Sequence, residues 1–273
     1  MSKSVPATAL AAARPVGDAI GYGLGFLREH GWRMLLWFVC LLLPLWGFSS
    51  LVGEVHKKAV FPFDAPLLNA LHAWATPTLD RFFVLVSRVG YLWGVVPLDA
   101  VVLIFLVVRR RFRDGLFFGI AVIGSGVLNI VAKNHYARLR PDLWISLTPE
   151  STYSFPSGHA MGSSTLGMAM VLLCWPTRGR FPVIALSLGF VLLVGISRVY
   201  LGVHYPSDIL AGWTAAIAWT LGMYLLVDRK ARPPPSSAAP SRDTVGAGGP
   251  IAQPASVVVP RARFTHATEL VRE

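Results

Sequence analysis

Long apolar runs constrain this chain more than any other feature. They lie at 33–52 (RMLLWFVCLLLPLWGFSSLV), 91–108, 115–133, 159–175 (HAMGSSTLGMAMVLLCW), 182–198 and 207–227. A helix rising ~1.5 Å per residue needs roughly 20 apolar residues to cross a ~30 Å hydrocarbon core. In lipid the backbone must satisfy its own N–H and C=O groups, so each run is expected to be a helix. Only 14% of the 273 residues are charged, against roughly 25% in a soluble domain. The expected fold is therefore all-α: a polytopic membrane protein with six transmembrane helices. Residues 33–228 form the membrane domain, 1–32 a cytoplasmic N-terminal segment, and 229–273 a Pro/Ser/Ala-rich disordered cytoplasmic tail.

Between the first two runs lies FPFDAPLLNALHAWATPTLDRFFVLVSRVG. Its apolar residues recur at helical spacing, with Pro66 and Pro77 as breaks. One or two amphipathic helices at the membrane interface are expected, with a re-entrant hairpin as the alternative. The first run begins only at Arg33 and is long enough to stay as an anchor rather than a cleaved leader. Cys40 and Cys174 fall inside spans and read as small buried apolar residues, not a disulfide or metal pair.

The net charge of +11 does not point to nucleic acid, because the basic residues are scattered between spans. Their scatter sets an orientation instead. With the N-terminus cytoplasmic, the inner side holds Lys3, Arg14, Arg28, Arg33, the cluster Arg109, Arg110, Arg111 and Arg113, then Arg178, Arg180 and the tail cations, 17 of the 25 Lys and Arg. Both termini are then inside. Lys133 ends the third span, His159 starts the fourth, Arg198 ends the fifth and Asp208 starts the sixth, so residues far apart in sequence meet at the outer face.

Three stretches there carry chemistry. In KNHYARLRP, Lys133 and Arg140 offer an ammonium and a guanidinium suited to the dispersed charge of a phosphoryl group; the alternative is snorkelling at a helix end. In FPSGHA, Ser157 is a plausible N-cap, and the free N–H groups around Ser157 and Gly158 make an anion cradle with His159 at its edge as a proton donor. In SRVYLGVHYPSD, His204 and Asp208 stand four residues apart. A carboxylate on one imidazole nitrogen leaves the other free as a nucleophile, and Arg198 reaches the same place. Asp99, inside the second span, is expected to make a helix–helix hydrogen bond. His135, Tyr136 and Arg138 are lesser candidates for touching substrate, while His56, His72 and Asp80 decorate the interfacial segment.

The ordered set Lys133-x6-Arg140-Pro141, Pro156-Ser157-Gly158-His159 and Ser197-Arg198-x5-His204-x3-Asp208 strongly resembles the signature of the type 2 phosphatidic acid phosphatase superfamily. Each motif alone is weak; the ordered trio is specific. The resemblance covers about 60–227 and implies a lipid phosphatase without metal or other cofactor. In it His204 forms a phosphohistidine, Asp208 orients His204, and His159 protonates the leaving oxygen. Lys133, Arg140, Arg198 and the amides around Ser157 and Gly158 hold the phosphate oxygens. The implied partners are the bilayer and a membrane lipid substrate, of the undecaprenyl diphosphate, phosphatidylglycerol phosphate or phosphatidate class. The implied setting is an inner membrane with the site outside. A phosphotransferase on the same scaffold and a non-catalytic lipid or anion transporter are the competing readings.

Overall fold

A computed structural model describes residues 38–228, together with the backbone at positions 31 and 35. The expected segments 1–32 and 229–273 lie almost wholly outside the described residues. Contacts divide the chain after Arg232, and the second unit also falls outside them. Every element described is a helix: α1 (Phe38–His56), α2 (Asp64–His72), α3 (Pro77–Val89), α4 (Val95–Val108), α5 (Phe112–Tyr136), α6 (Gly158–Cys174), α7 (Arg180–Tyr200) and α8 (Pro206–Asp228).

Four of these, α1, α5, α7 and α8, are long and apolar enough to cross a membrane. The other two expected spans are helices of 14 and 17 residues, α4 and α6, about 21 and 26 Å at 1.5 Å per residue. A turn at 90–94 delays α4 until Val95, four residues beyond the expected start. Helix α5 runs one turn past Lys133 and stops where Ala137 takes φ +44°. The segment between α1 and α4 holds two helices. Pro77 opens α3 behind the cap Thr76, whose hydroxyl accepts from Leu79 N at 3.3 Å. Pro66 is no break: it sits in the first turn of α2, where a missing N–H costs nothing.

Helix α6 is the axis of the bundle, packed against α5, α7 and α8. Its sequence GHAMGSSTLGMAM is mostly small residues, which lets neighbouring backbones approach closely. Gly212 on α8 shows how closely: a Cβ there would lie 2.9 Å from the Ser157 carbonyl and 3.0 Å from Ala160 Cβ. The apolar core, including Phe117, Phe118, Ala121, Leu166, Ala169, Leu172 and Leu221, fills the bundle end away from the predicted site. The outer faces of α4, α5 and α7 carry exposed Ile104, Ile130 and Leu186, as lipid contact requires. Cys40 is exposed on α1 rather than buried, and both cysteines are free. Asp99 does not make the expected helix–helix bond: its buried Oδ1 has no hydrogen-bond partner among the described residues.

Candidate active site

The site is assembled by two connections at one end of the bundle. Residues 137–157, between α5 and α6, contain no helix or strand. Trp144 anchors this connection by stacking on His72, with centroids 3.9 Å apart. The Ser146 hydroxyl adds a 2.7 Å bond to the Leu201 carbonyl. The second connection, 201–205, turns from α7 to α8 through Gly202 at φ +68°. A side chain at Gly202 would be strained there and would also strike Trp144, 2.6 Å from its Cβ position. Pro206 then opens α8. Asp208 reaches back to accept from Tyr205 N at 2.9 Å, half of a capping box. Helix capping thus fixes the carboxylate before any chemistry is asked of it.

His204 is fully buried at the tip of this turn. Arg140 Nη1 lies 3.1 Å from its Nε2. A guanidinium only donates, so Nε2 carries the lone pair and Nδ1 the proton. Nδ1 faces Asp208 Oδ2 at 3.5 Å and the Ser154 hydroxyl at 3.4 Å. Ser154 also donates to Asp208 Oδ2. Burial, reinforced by Arg140 and Arg198, holds the His204 imidazole well below its ordinary pKa, so it is neutral at pH 7. A neutral imidazole with a fixed tautomer and its lone pair turned into the site has the chemistry to act as a nucleophile.

Arg140 is held by carbonyls as well as by acid: Nε donates to Thr152 O at 2.7 Å and Nη1 to Val203 O at 2.6 Å. Arg198 is 1% exposed and donates to the Ser87 hydroxyl through Nη1 and to Glu150 Oε1 through Nη2. Its Nε, also buried, has no hydrogen-bond partner among the described residues. Lys133 Nζ donates to Tyr153 O at 2.5 Å and to the Thr152 hydroxyl at 3.2 Å. The structure therefore brings together Lys133, Arg140, Arg198, His204 and Asp208, with His159 across from them.

His159, the second residue of α6, has its ring 5.0 Å from that of Tyr91. Ser157 caps α6, with its hydroxyl 3.5 Å from Ala160 N, and its own N–H donates to the Asp208 carbonyl at 3.1 Å. The expected cradle thus loses the Ser157 amide. Gly158 and His159, in the first turn, keep N–H groups without intrahelical partners. Asn129 holds the same stretch by donating to Pro156 O at 3.1 Å. His135 stacks edge-on with Tyr136, and Asp80 accepts from the Tyr200 hydroxyl at 2.7 Å.

Three residues at the site carry roles that the sequence did not reveal. Arg138 braces the buried acids, donating to Asp208 Oδ1 at 2.5 Å, Ser207 Oγ at 2.8 Å and Asp64 Oδ2 at 2.9 Å. Asp64, 2% exposed, in turn accepts from Ser207 N at 2.9 Å. Glu150 bridges the cations: Oε1 accepts from Arg198 and Oε2 from Arg140 at 2.6 Å. Burial alone raises the Glu150 carboxyl, but Arg198, Arg140 and Lys133 more than reverse this and leave it below its ordinary value. Its two oxygens lie 3.9 Å from His159 Nδ1 and 3.9 Å from His204 Nε2.

Two imidazoles flanking an anion held by guanidinium groups form a site suited to a phosphoryl group. The proteins this chain resembles are phosphatases. The model of the PAP2 superfamily matches residues 114–232, which hold all three motifs. An undecaprenyl-diphosphatase of Sulfolobus acidocaldarius is 32% identical over 195 residues, 68% of this chain and 85% of the relative. Phosphatidylglycerophosphatase B of Bacillus subtilis is 29% identical over 175 residues, 62% and 86% of the two chains. In structure, the chain is similar to the crystal structure of a transmembrane PAP2-type phosphatidylglycerolphosphate phosphatase from Bacillus subtilis. The TM-score is 0.64 at 27% identity, over 71% of this chain and 98% of the other. A membrane-spanning bundle, an ordered trio of motifs and relatives matched over most of their length place this chain in the PAP2 superfamily, as a membrane phosphatase.

Proposed function

We propose that the protein hydrolyses a lipid phosphate or diphosphate at the outer leaflet through a phosphohistidine on His204. The observation that carries this is the placement of His204 Nε2 and His159 Nδ1, each 3.9 Å from one anion that Arg140 and Arg198 hold. Put a phosphoryl group where that carboxylate sits. His204 Nε2 attacks phosphorus, the bond from phosphorus to the lipid oxygen breaks, and His159 gives that oxygen its proton. A water then attacks phosphorus, loses a proton to His159, and the N–P bond breaks to release phosphate. Asp208 and Ser154 hold the Nδ1 proton and stabilise the charge that builds on the ring. Lys133, Arg140, Arg198 and the Gly158 amide hold the equatorial oxygens. Acid–base help of this kind contributes about 10²–10⁴-fold and cationic clamping about 10³–10⁵-fold.

The site stands at one end of the helices, at headgroup depth, so a lipid can offer its phosphate while its tail stays in the bilayer. The named activities of the relatives support undecaprenyl diphosphate and phosphatidylglycerol phosphate as candidates, with phosphatidate as a third. In this reading α4 and α6 complete six spans, α2 and α3 lie at the membrane surface, and both termini are cytoplasmic. Charge bias supports that orientation.

Purified protein in detergent is tested against a panel of these lipids, scoring free phosphate and phosphorylated acceptor separately, with and without EDTA. Release of free phosphate that persists in EDTA and stops with vanadate is expected. Phosphorylated acceptor in place of free phosphate would make the protein a phosphotransferase, and complete loss in EDTA would refute the cation clamp. For orientation, Ile145 is 97% exposed in the 137–157 connection. Ile145→Cys, with Cys40 and Cys174 replaced by Ala, should react with an impermeant maleimide on intact spheroplasts. Labelling only after the membrane is opened would put the site inside.

A further inference from the structure

Glu150 stands where the reaction needs a phosphoryl group, and none of the three motifs includes it. Its carboxylate spans the two guanidinium groups and lies between both imidazoles. A ligand phosphate can reach those cations only by displacing it. The displacement is feasible. The Glu150 side chain is 26% exposed, and the connection that carries it is pinned elsewhere, by Trp144 and Ser146. Only the side chain has to turn outward. The cations stay in place when it leaves, because Arg140 is also held by the Thr152 and Val203 carbonyls and Arg198 by Ser87.

A tethered carboxylate competes at an effective concentration on the order of millimolar, so whatever enters must bind the cations better than one negative charge with two oxygens does. A phosphate monoester, or the terminal phosphate of a diphosphate, carries about −1.5 to −2 at pH 7 and three strong acceptor oxygens. A phosphodiester headgroup carries one negative charge and two free oxygens, which is what Glu150 already supplies. In a bilayer the diester headgroups far outnumber any phosphorylated intermediate. Displacing Glu150 costs every entering anion the same free energy, so a weakly bound diester is shut out at concentrations where a terminal phosphate still binds.

Resting on the phosphatase reading above, we propose that Glu150 is an internal competitor for the phosphoryl site. Its carboxylate closes the phosphoryl site of the resting enzyme to phosphodiester lipids and yields to a terminal phosphate.

The test measures inhibition of lipid phosphate hydrolysis in mixed micelles by phosphatidylglycerol, as the diester, and by inorganic phosphate. In Glu150→Gln the diester and the phosphate inhibition constants should both fall, each by about tenfold relative to wild type. Glu150→Asp, which keeps the charge but withdraws it by one methylene, should fall between. A second readout needs no turnover. Glu150→Ala leaves Arg140 and Arg198 without their shared acid, so its melting temperature should drop, and inorganic phosphate should restore it by more than it raises wild type. Unchanged inhibition constants with activity retained would overturn the proposal. So would a loss of kcat with unchanged inhibition constants, which would make Glu150 part of the chemistry instead. Failure of inorganic phosphate to protect wild type, or protection that survives Arg198→Ala, would sink the phosphatase site itself rather than the role of Glu150 alone.

Discussion

Replacing His204 by asparagine is expected to lower lipid phosphate hydrolysis by about 10⁴-fold or more while leaving inorganic phosphate bound. The magnitude follows from loss of a covalent nucleophile, whose companions cannot act without it. Asparagine rather than alanine limits the cavity left at a fully buried position and keeps an acceptor for Arg140. Phosphate binding survives because its ligands are Lys133, Arg140 and Arg198, none of which depends on the imidazole for its own hydrogen bonds. The pairing of lost turnover with retained binding separates an enzyme from a transporter, which needs cations but no nucleophile. Hydrolysis by the purified variant at the wild-type rate would remove His204 from the mechanism.

Arg138→Ala is expected to act on stability first and activity second. Its guanidinium joins Asp64 and Asp208, which are 2% and 0% exposed. Removing the cation strands two buried carboxylates without a direct ion pair: Asp64 keeps only Ser207 N and Oγ, at 2.9 and 2.6 Å, and Asp208 keeps Tyr205 N at 2.9 Å and the Ser154 hydroxyl. Breaking a buried pair from one side costs about 3–5 kcal/mol, a large part of the stability of most folds. Thermal unfolding in detergent should show a marked drop in melting temperature, and Arg138→Lys should recover part of it. Asp64→Asn in the Arg138→Ala background should recover more than Asp64→Asn costs alone, because one of the stranded charges is gone. A melting temperature unchanged in Arg138→Ala would show that the acids are satisfied by their other hydrogen bonds.

What the sequence disclosed and what it hid follow a physical pattern. Apolar runs announce helices because lipid allows nothing else, and the four-residue spacing of His204 and Asp208 brings them together across the turn that opens α8. Lys133, Arg140, His159 and Arg198 were readable because span ends with an assigned orientation share one depth. The partners of these residues were not readable. Asp64 meets Arg138 across 74 positions and Ser207 across 143, and Arg198 meets Ser87 across 111. Such pairs are created by packing, and no local period marks them. Arg138 was obscured for the same reason: inside the first motif it reads as a lesser candidate for touching substrate, and its bonds to Asp208, Ser207 and Asp64 arise only in the packed bundle. Glu150 had one available signal. It and Asp142 are the only acids between α5 and α6, and three cations converging beside that segment call for an anion. The Ser157 amide was misjudged because a helix start frees N–H groups only where α8 does not take one, and the close approach at Gly212 lets it do so.

The most direct measurement is a rapid-quench trap with a ³²P-labelled lipid phosphate. Wild type should carry label on the protein during turnover, stable to alkali and lost in acid as a phosphoramidate is, and mapping to the peptide that contains His204. His159→Ala with an aryl phosphate, whose leaving group needs no proton, should accumulate more of it because the attacking water lacks its base. Turnover with no protein-bound phosphate in either protein, or label on a residue other than His204, would contradict the account.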